Sequence, residues 1–92
     1  MEIIETGIRD LRILKPRVFE DARGYFFESY NKKILAESGI DLTFVQDNQS
    51  RSNFGVIRGL HYQLEPKAQT KLVRVLEGSI WDVAVDLREK LV

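Results

Sequence analysis

From residue 43 to residue 87 the chain is a succession of four short β-prone runs, 43–50, 56–64, 70–76 and 79–87, separated by Asn53-Phe54-Gly55, Glu65-Pro66-Lys67 and Glu77-Gly78. Runs of this length, punctuated by turn residues at this interval, point to a β-sandwich or barrel rather than to a helical or α/β architecture. The sequence therefore predicts an all-β fold, and everything upstream has to be fitted to it.

Upstream, residues 7–19 read as a strand region carrying Leu11, Ile13 and, after Pro16, Val18, and Glu20-Asp21-Ala22-Arg23-Gly24 supplies turn chemistry. The aromatic run Tyr25-Phe26-Phe27-Glu28-Ser29-Tyr30 has strong β-propensity. At period 2 it sets Phe26, Glu28 and Tyr30 on one face and Tyr25 and Phe27 on the other, so both faces are expected to be covered. One short helix is predicted over 32–38, with Asn31 as N-cap and Gly39 as the residue beyond the C-cap that tolerates a positive φ. No repeat, linker or low-complexity segment interrupts the pattern, and residues 1–92 are expected to form a single domain.

Composition narrows the function classes. A domain of this size buries a little over ~60% of the surface its unfolded chain exposes, which leaves a modest core and favours help from an interface. Lys plus Arg and Asp plus Glu number 14 each, so the basic excess that drives nucleic-acid binding is missing and no nucleic-acid partner is expected. Without cysteine there is no disulfide, thiol nucleophile or Cys-ligated metal, and with a single histidine no metal cofactor held by one chain is expected. No apolar run approaches the ~20 residues that cross a bilayer, and Met1-Glu2-Ile3-Ile4-Glu5 lacks the pattern of a signal peptide. A cytoplasmic protein without a membrane partner is the expectation.

The final two runs can be paired. With Glu77-Gly78 as a two-residue turn, Leu76 faces Ser79, Val73 faces Asp82 and Lys71 faces Ala84. One face then carries Leu72, Leu76, Trp81, Val83, Val85 and Leu87, interrupted by Thr70 and Arg74. The other mixes Gln69, Lys71, Val73, Val75, Ile80, Asp82, Ala84 and Asp86. The second face is read in two ways: as the lining of a pocket, or as a solvated surface on which Lys71 and Asp82 form a diagonal pair worth under ~1 kcal/mol.

The residues best suited to chemistry lie nearby. His61, in Arg58-Gly59-Leu60-His61-Tyr62-Gln63, is the side chain best matched to proton exchange near neutral pH, and Arg58 can hold a phosphate or carboxylate by a two-point hydrogen bond. A lone histidine on a strand is more often a hydrogen-bonded structural residue, so the alternative stays open. Gln46, Asn48 and Ser50 alternate and project to one side of an extended strand, either as a solvent face or as amides for phosphate and sugar hydroxyls.

Together these segments resemble a known family. Asp21-Ala22-Arg23-Gly24-Tyr25-Phe26, Gln46-Asp47-Asn48, Arg58-Gly59-Leu60-His61-Tyr62-Gln63, Pro66, Ala68-Gln69, Lys71-Leu72-Val73-Arg74-Val75, Gly78 and Asp82-Val83-Ala84-Val85-Asp86-Leu87-Arg88 look, in order and spacing, like dTDP-4-dehydrorhamnose 3,5-epimerase. The resemblance implies a cupin-like jelly-roll barrel, here its N-terminal half, that forms a homodimer. It implies epimerisation of a dTDP-4-keto-6-deoxy sugar at C3 and C5 without a cofactor, on the route to dTDP-rhamnose. By matching position, His61 is the base beside the C4 ketone and Lys71 stabilises the enolate oxygen. Arg58, Gln46, Asp47 and Asn48 belong to the substrate pocket, and Arg23, Phe26 and Glu28 hold the thymidine nucleotide across the dimer interface.

Family chains are roughly double this length, and the resemblance puts their tyrosine proton donor, and the aspartate that orients the histidine, beyond the residues present here. Two other readings stand beside the double epimerase. One is a non-catalytic fragment that binds a sugar nucleotide or a second chain; the other is a sugar-nucleotide 3-epimerase or 3,4-ketoisomerase with the same base.

Overall fold

The computed structural model describes residues 1–64 and 68–88. The expected turn at Glu65-Pro66-Lys67 and the closing residues 89–92 lie outside the described residues. Backbone contacts gather into two units, Met1–Asn48 and Gln49–Val92.

Among the described residues the regular structure lies in the first unit and is β-dominated, consistent with a cupin-like all-β fragment carrying one short helix. Strands β1 (Glu2–Glu5) and β2 (Arg12–Lys15) pair antiparallel, with Ile3 opposite Leu14 and Ile4 opposite Ile13. The six-residue connection is organised by Thr6, whose hydroxyl accepts from the Ile8 N–H at 3.1 Å and donates to the Leu11 carbonyl at 2.7 Å. Glu5 and Arg12 face each other across the pair, and the Arg12 Nε–H donates to the Glu5 carboxylate at 3.0 Å. Such a cross-strand charge pair adds under ~1 kcal/mol but favours this register over a slipped one. Strand β1 was not anticipated from the sequence, because Ile3 and Ile4 stand side by side without alternation; their partners on β2 decide it.

Strands β3 (Val18–Asp21) and β4 (Gly24–Phe27) form the second hairpin. Asp21 pairs with Gly24, which leaves Ala22-Arg23 as a two-residue turn where turn chemistry was expected. Proline and Arg17 divide the expected 7–19 strand region into β2 and β3, since Pro16 offers no backbone donor to a ladder. Tyr25 and Phe27 stack with ring centroids 5.9 Å apart, the face-sharing that period 2 demands. Coverage of both faces is not found: Tyr25 is 69% and Phe26 71% exposed. The reason is that a two-stranded sheet has nothing of its own to lay over either side.

Helix α1 (Lys32–Glu37) begins as expected, with the Asn31 side chain accepting from the Ile34 N–H at 3.1 Å. It ends in a Schellman arrangement: the Ile40 N–H donates to the Leu35 carbonyl at 2.8 Å and the Gly39 N–H to the Ala36 carbonyl at 3.1 Å. Gly39 carries φ +89, a conformation that would strain any residue with a Cβ. Leu35, 2% exposed, is the one buried hydrophobic side chain among the described residues, and the rings of Tyr30 and Phe44, on either side of the helix in sequence, meet edge-on at 5.8 Å.

The strands expected at 43–50, 56–64, 70–76 and 79–87 are not formed among the described residues. The Glu77-Gly78 hairpin is likewise corrected: the chain bends at residues 76–78 and Gly78 has φ +83, yet no ladder joins the two arms. The register that set Lys71 and Asp82 opposite Trp81 and Val83 is therefore not realised. Strand pairing is non-local and draws its stability from a covered face. Here the apolar residues that would supply that face stand open, with Ile57 95% and Trp81 92% exposed.

Replacement of Asn31 by alanine is expected to cost ~1 kcal/mol of helix stability. Amide hydrogen exchange at Ile34 and Leu35 checks this; unchanged protection would contradict the capping role.

Candidate substrate site

The residues expected to hold a nucleotide begin at the β3–β4 hairpin. Its turn and flanking strand ends form an open concavity of about 470 Å³, lined among others by Phe19, Glu20, Asp21, Arg23, Tyr25 and Phe26. Apolar ring faces and a guanidinium thus share one small surface, a combination suited to a planar base with an attached anion. Glu28 lies just past β4 and is exposed; it is not part of this lining. The Arg17 guanidinium sits 4.8 Å from the centroid of the Phe19 ring, one of the rings that line the concavity.

Arg23 is held by Asp21. The Asp21 Oδ1 accepts from the Arg23 backbone N–H at 2.8 Å, while Oδ2 accepts from Nη2 at 2.7 Å and Nε at 3.2 Å. The side-chain bond from Arg23, and next to it the backbone bond from Arg23, hold the Asp21 carboxyl below its ordinary range. Sequence reasoning did not single out Asp21 as a site residue. The signal was present, because an aspartate two residues before a turn position bonds the backbone ahead of it in an Asx turn. The same spacing recurs at Asp86, which accepts from the Arg88 backbone N–H and Nε at 3.0 Å each and is likewise lowered, first by the Arg88 side chain.

Of the polar row, the Gln46 side-chain amide donates to the Asn48 side-chain oxygen at 3.4 Å; Asp47 and Ser50 are exposed. In the second unit the Arg58 Nε–H donates to the Ser52 hydroxyl at 2.9 Å. His61 and Lys71 are both exposed, and neither forms a hydrogen bond or ion pair with a described residue. Three or more histidines, aspartates and glutamates do not come together as a metal-binding group among the described residues. No helix among them is long and apolar enough to cross a membrane.

The family model for dTDP-4-dehydrorhamnose 3,5-epimerase matches residues 5–91. The chain belongs to the dTDP-4-dehydrorhamnose 3,5-epimerase family. Relatives bearing that name include a Shigella flexneri protein 56% identical over 90 residues, covering 97% of this chain and 50% of the relative. A Salmonella typhimurium relative is 53% identical over 91 residues, 98% of this chain and 50% of its own length. In the Neisseria gonorrhoeae relative, 53% identical over 89 residues, the match is 97% of this chain and 27% of the relative. The chain thus spans half or less of the length of these family members. No solved structure gives a significant match. Every candidate site residue, from Arg23 to Lys71, falls inside the stretch matched by the family model.

Because the Asp21 pKa is lowered in the folded chain, the Asp21–Arg23 contact is complete above the ordinary carboxylate range and is lost as pH falls through the lowered value. A carboxyl-carbon NMR titration is expected to place the Asp21 midpoint below that of an unpaired aspartate, and Arg23→Ala to move it back upward. A midpoint indifferent to Arg23 would contradict the assignment.

Proposed function

We propose that this chain is the N-terminal half of a dTDP-4-dehydrorhamnose 3,5-epimerase and carries the base of the reaction. The observation behind this reading is the family match over residues 5–91, which takes in His61 and Lys71 together with the nucleotide-side residues. C3 and C5 of a dTDP-4-keto-6-deoxy sugar both flank the C4 ketone. Neutral His61 accepts a proton from such a carbon; the C–H electrons form the enolate double bond, and the C4 oxygen takes up the negative charge. The Lys71 ammonium lies beside that oxygen in this reading and stabilises it. Return of a proton to the opposite face inverts the centre. The proton donor for that step belongs, by family resemblance, to the half of the relatives that this chain does not span.

Arg58, Gln46, Asp47 and Asn48 hold the sugar and phosphates, and Arg23, Phe26 and Glu28 hold the thymidine nucleotide. The two contact units, Met1–Asn48 and Gln49–Val92, are on this account parts of one domain. The protein is a cytoplasmic homodimer that needs no cofactor. The dimer is supported by the large exposed apolar residues of the second unit, among them Ile57, Ile80, Trp81 and Val83, which a two-fold contact would cover on both chains.

Solvent exchange tests the chemistry. With dTDP-4-keto-6-deoxyglucose in D2O, the 92-residue chain is expected to introduce deuterium next to the ketone while forming little epimerised product. His61→Ala should abolish the exchange, and Lys71→Ala should slow it ~10²-fold. Label at C3 and C5 supports the double epimerase and label at C3 alone a 3-epimerase or ketoisomerase; no label at either carbon would leave only a binding role. Sedimentation at micromolar concentration checks the dimer, for which we expect an interface above ~1,200 Å². A cooperatively folded monomer would refute it.

A further inference from the structure

We infer that Asp21 is a positioning residue for Arg23, occupying the side edge of its guanidinium so that the Nη1–Nη2 end is presented to a nucleotide diphosphate. This rests on the reading that Arg23 meets the nucleotide. A guanidinium offers two forks to an anion: a side edge, made by Nε and one Nη, and an end, made by the two Nη groups. In this chain Nε and Nη2 both point at Asp21 Oδ2, at 3.2 and 2.7 Å, so the side edge is taken. The other carboxylate oxygen binds the Arg23 backbone N–H at 2.8 Å, which ties the side chain to the conformation of its own turn. That turn is short and closed on both sides, since Asp21 is the last residue of β3 and pairs with Gly24, the first of β4.

The consequence is directional. Arg23 is anchored along one edge while its side chain remains 91% exposed, so an incoming phosphate meets the remaining fork without displacing the carboxylate. Arg23 lines the same concavity as the rings of Phe19, Tyr25 and Phe26, which brings anion and base contacts into one small surface. An unanchored arginine would have to lose that freedom on binding, and the loss would weaken the complex.

The test uses the 92-residue chain and thymidine diphosphate as the probe, followed by NMR of the Arg23 side chain. In the ligand-free chain the Arg23 Nε–H is expected to exchange slowly, and to exchange like a free arginine in Asp21→Ala. On titration with the probe the Nη signals should move while Nε stays in place. Asp21→Ala should weaken binding about 3-fold, as suits an exposed charge pair. Asp21→Asn should keep the turn, through its amide oxygen, and still show the loss. In an Arg23→Ala background Asp21→Ala should have no further effect. An Nε–H that exchanges at the same rate with or without Asp21, an Nε signal that shifts as much as Nη, or additive single and double variants would overturn the positioning role. Failure of a different kind, in which Arg23→Ala binds the probe as tightly as the unmodified chain or the unmodified chain does not bind it, would overturn the nucleotide reading of Arg23 itself and, with it, the presentation of its free fork to a diphosphate.

Discussion

A β-strand satisfies its backbone and covers its side chains only through a neighbour, and that dependence governs every part of this chain. Where the neighbour is close in sequence, the strand forms. Two residues of turn join β3 to β4 and six join β1 to β2, so little loop entropy opposes either hairpin. Where no such neighbour closes over the alternating residues, as in 43–64 and 70–87, the pattern stays legible in the sequence and unrealised as paired strands. The chain spans half or less of the length of the relatives it matches.

The same constraint separates the parts of the site. Arg23 and Phe26, the residues proposed for the nucleotide, belong to a hairpin that closes locally, and they therefore come with defined geometry: a carboxylate on one edge of the guanidinium and aromatic residues lining the same concavity. His61 and Lys71 belong to segments whose placement depends on distant pairing. They are exposed, and their chemical roles rest on the family resemblance and not on contacts within the chain. The reaction proposed for this chain needs a base and an enolate stabiliser held at a fixed spacing, and such pre-organisation is a property of the surrounding fold.

What the sequence determined by itself was whatever depends on near neighbours. Asn31 and Gly39 bound the one helix at both ends, since capping is settled within a few residues, and Asp21-Ala22-Arg23-Gly24 set a turn because an aspartate there bonds the backbone just ahead of it. The positions of His61, Lys71, Arg58 and the Gln46-Asp47-Asn48 row were legible as motif, in order and spacing, which is also why the family could be read from them. Tertiary structure alone decided the rest. It made Ile3 and Ile4 a strand by setting Leu14 and Ile13 opposite them, left Tyr25 and Phe26 open where alternation had suggested cover, and left the arms around Gly78 unpaired despite a turn of the right conformation. Periodicity states which residues would share a face; whether anything lies against that face is a property of the assembled fold, because burial is a relation between segments and is written in neither one alone.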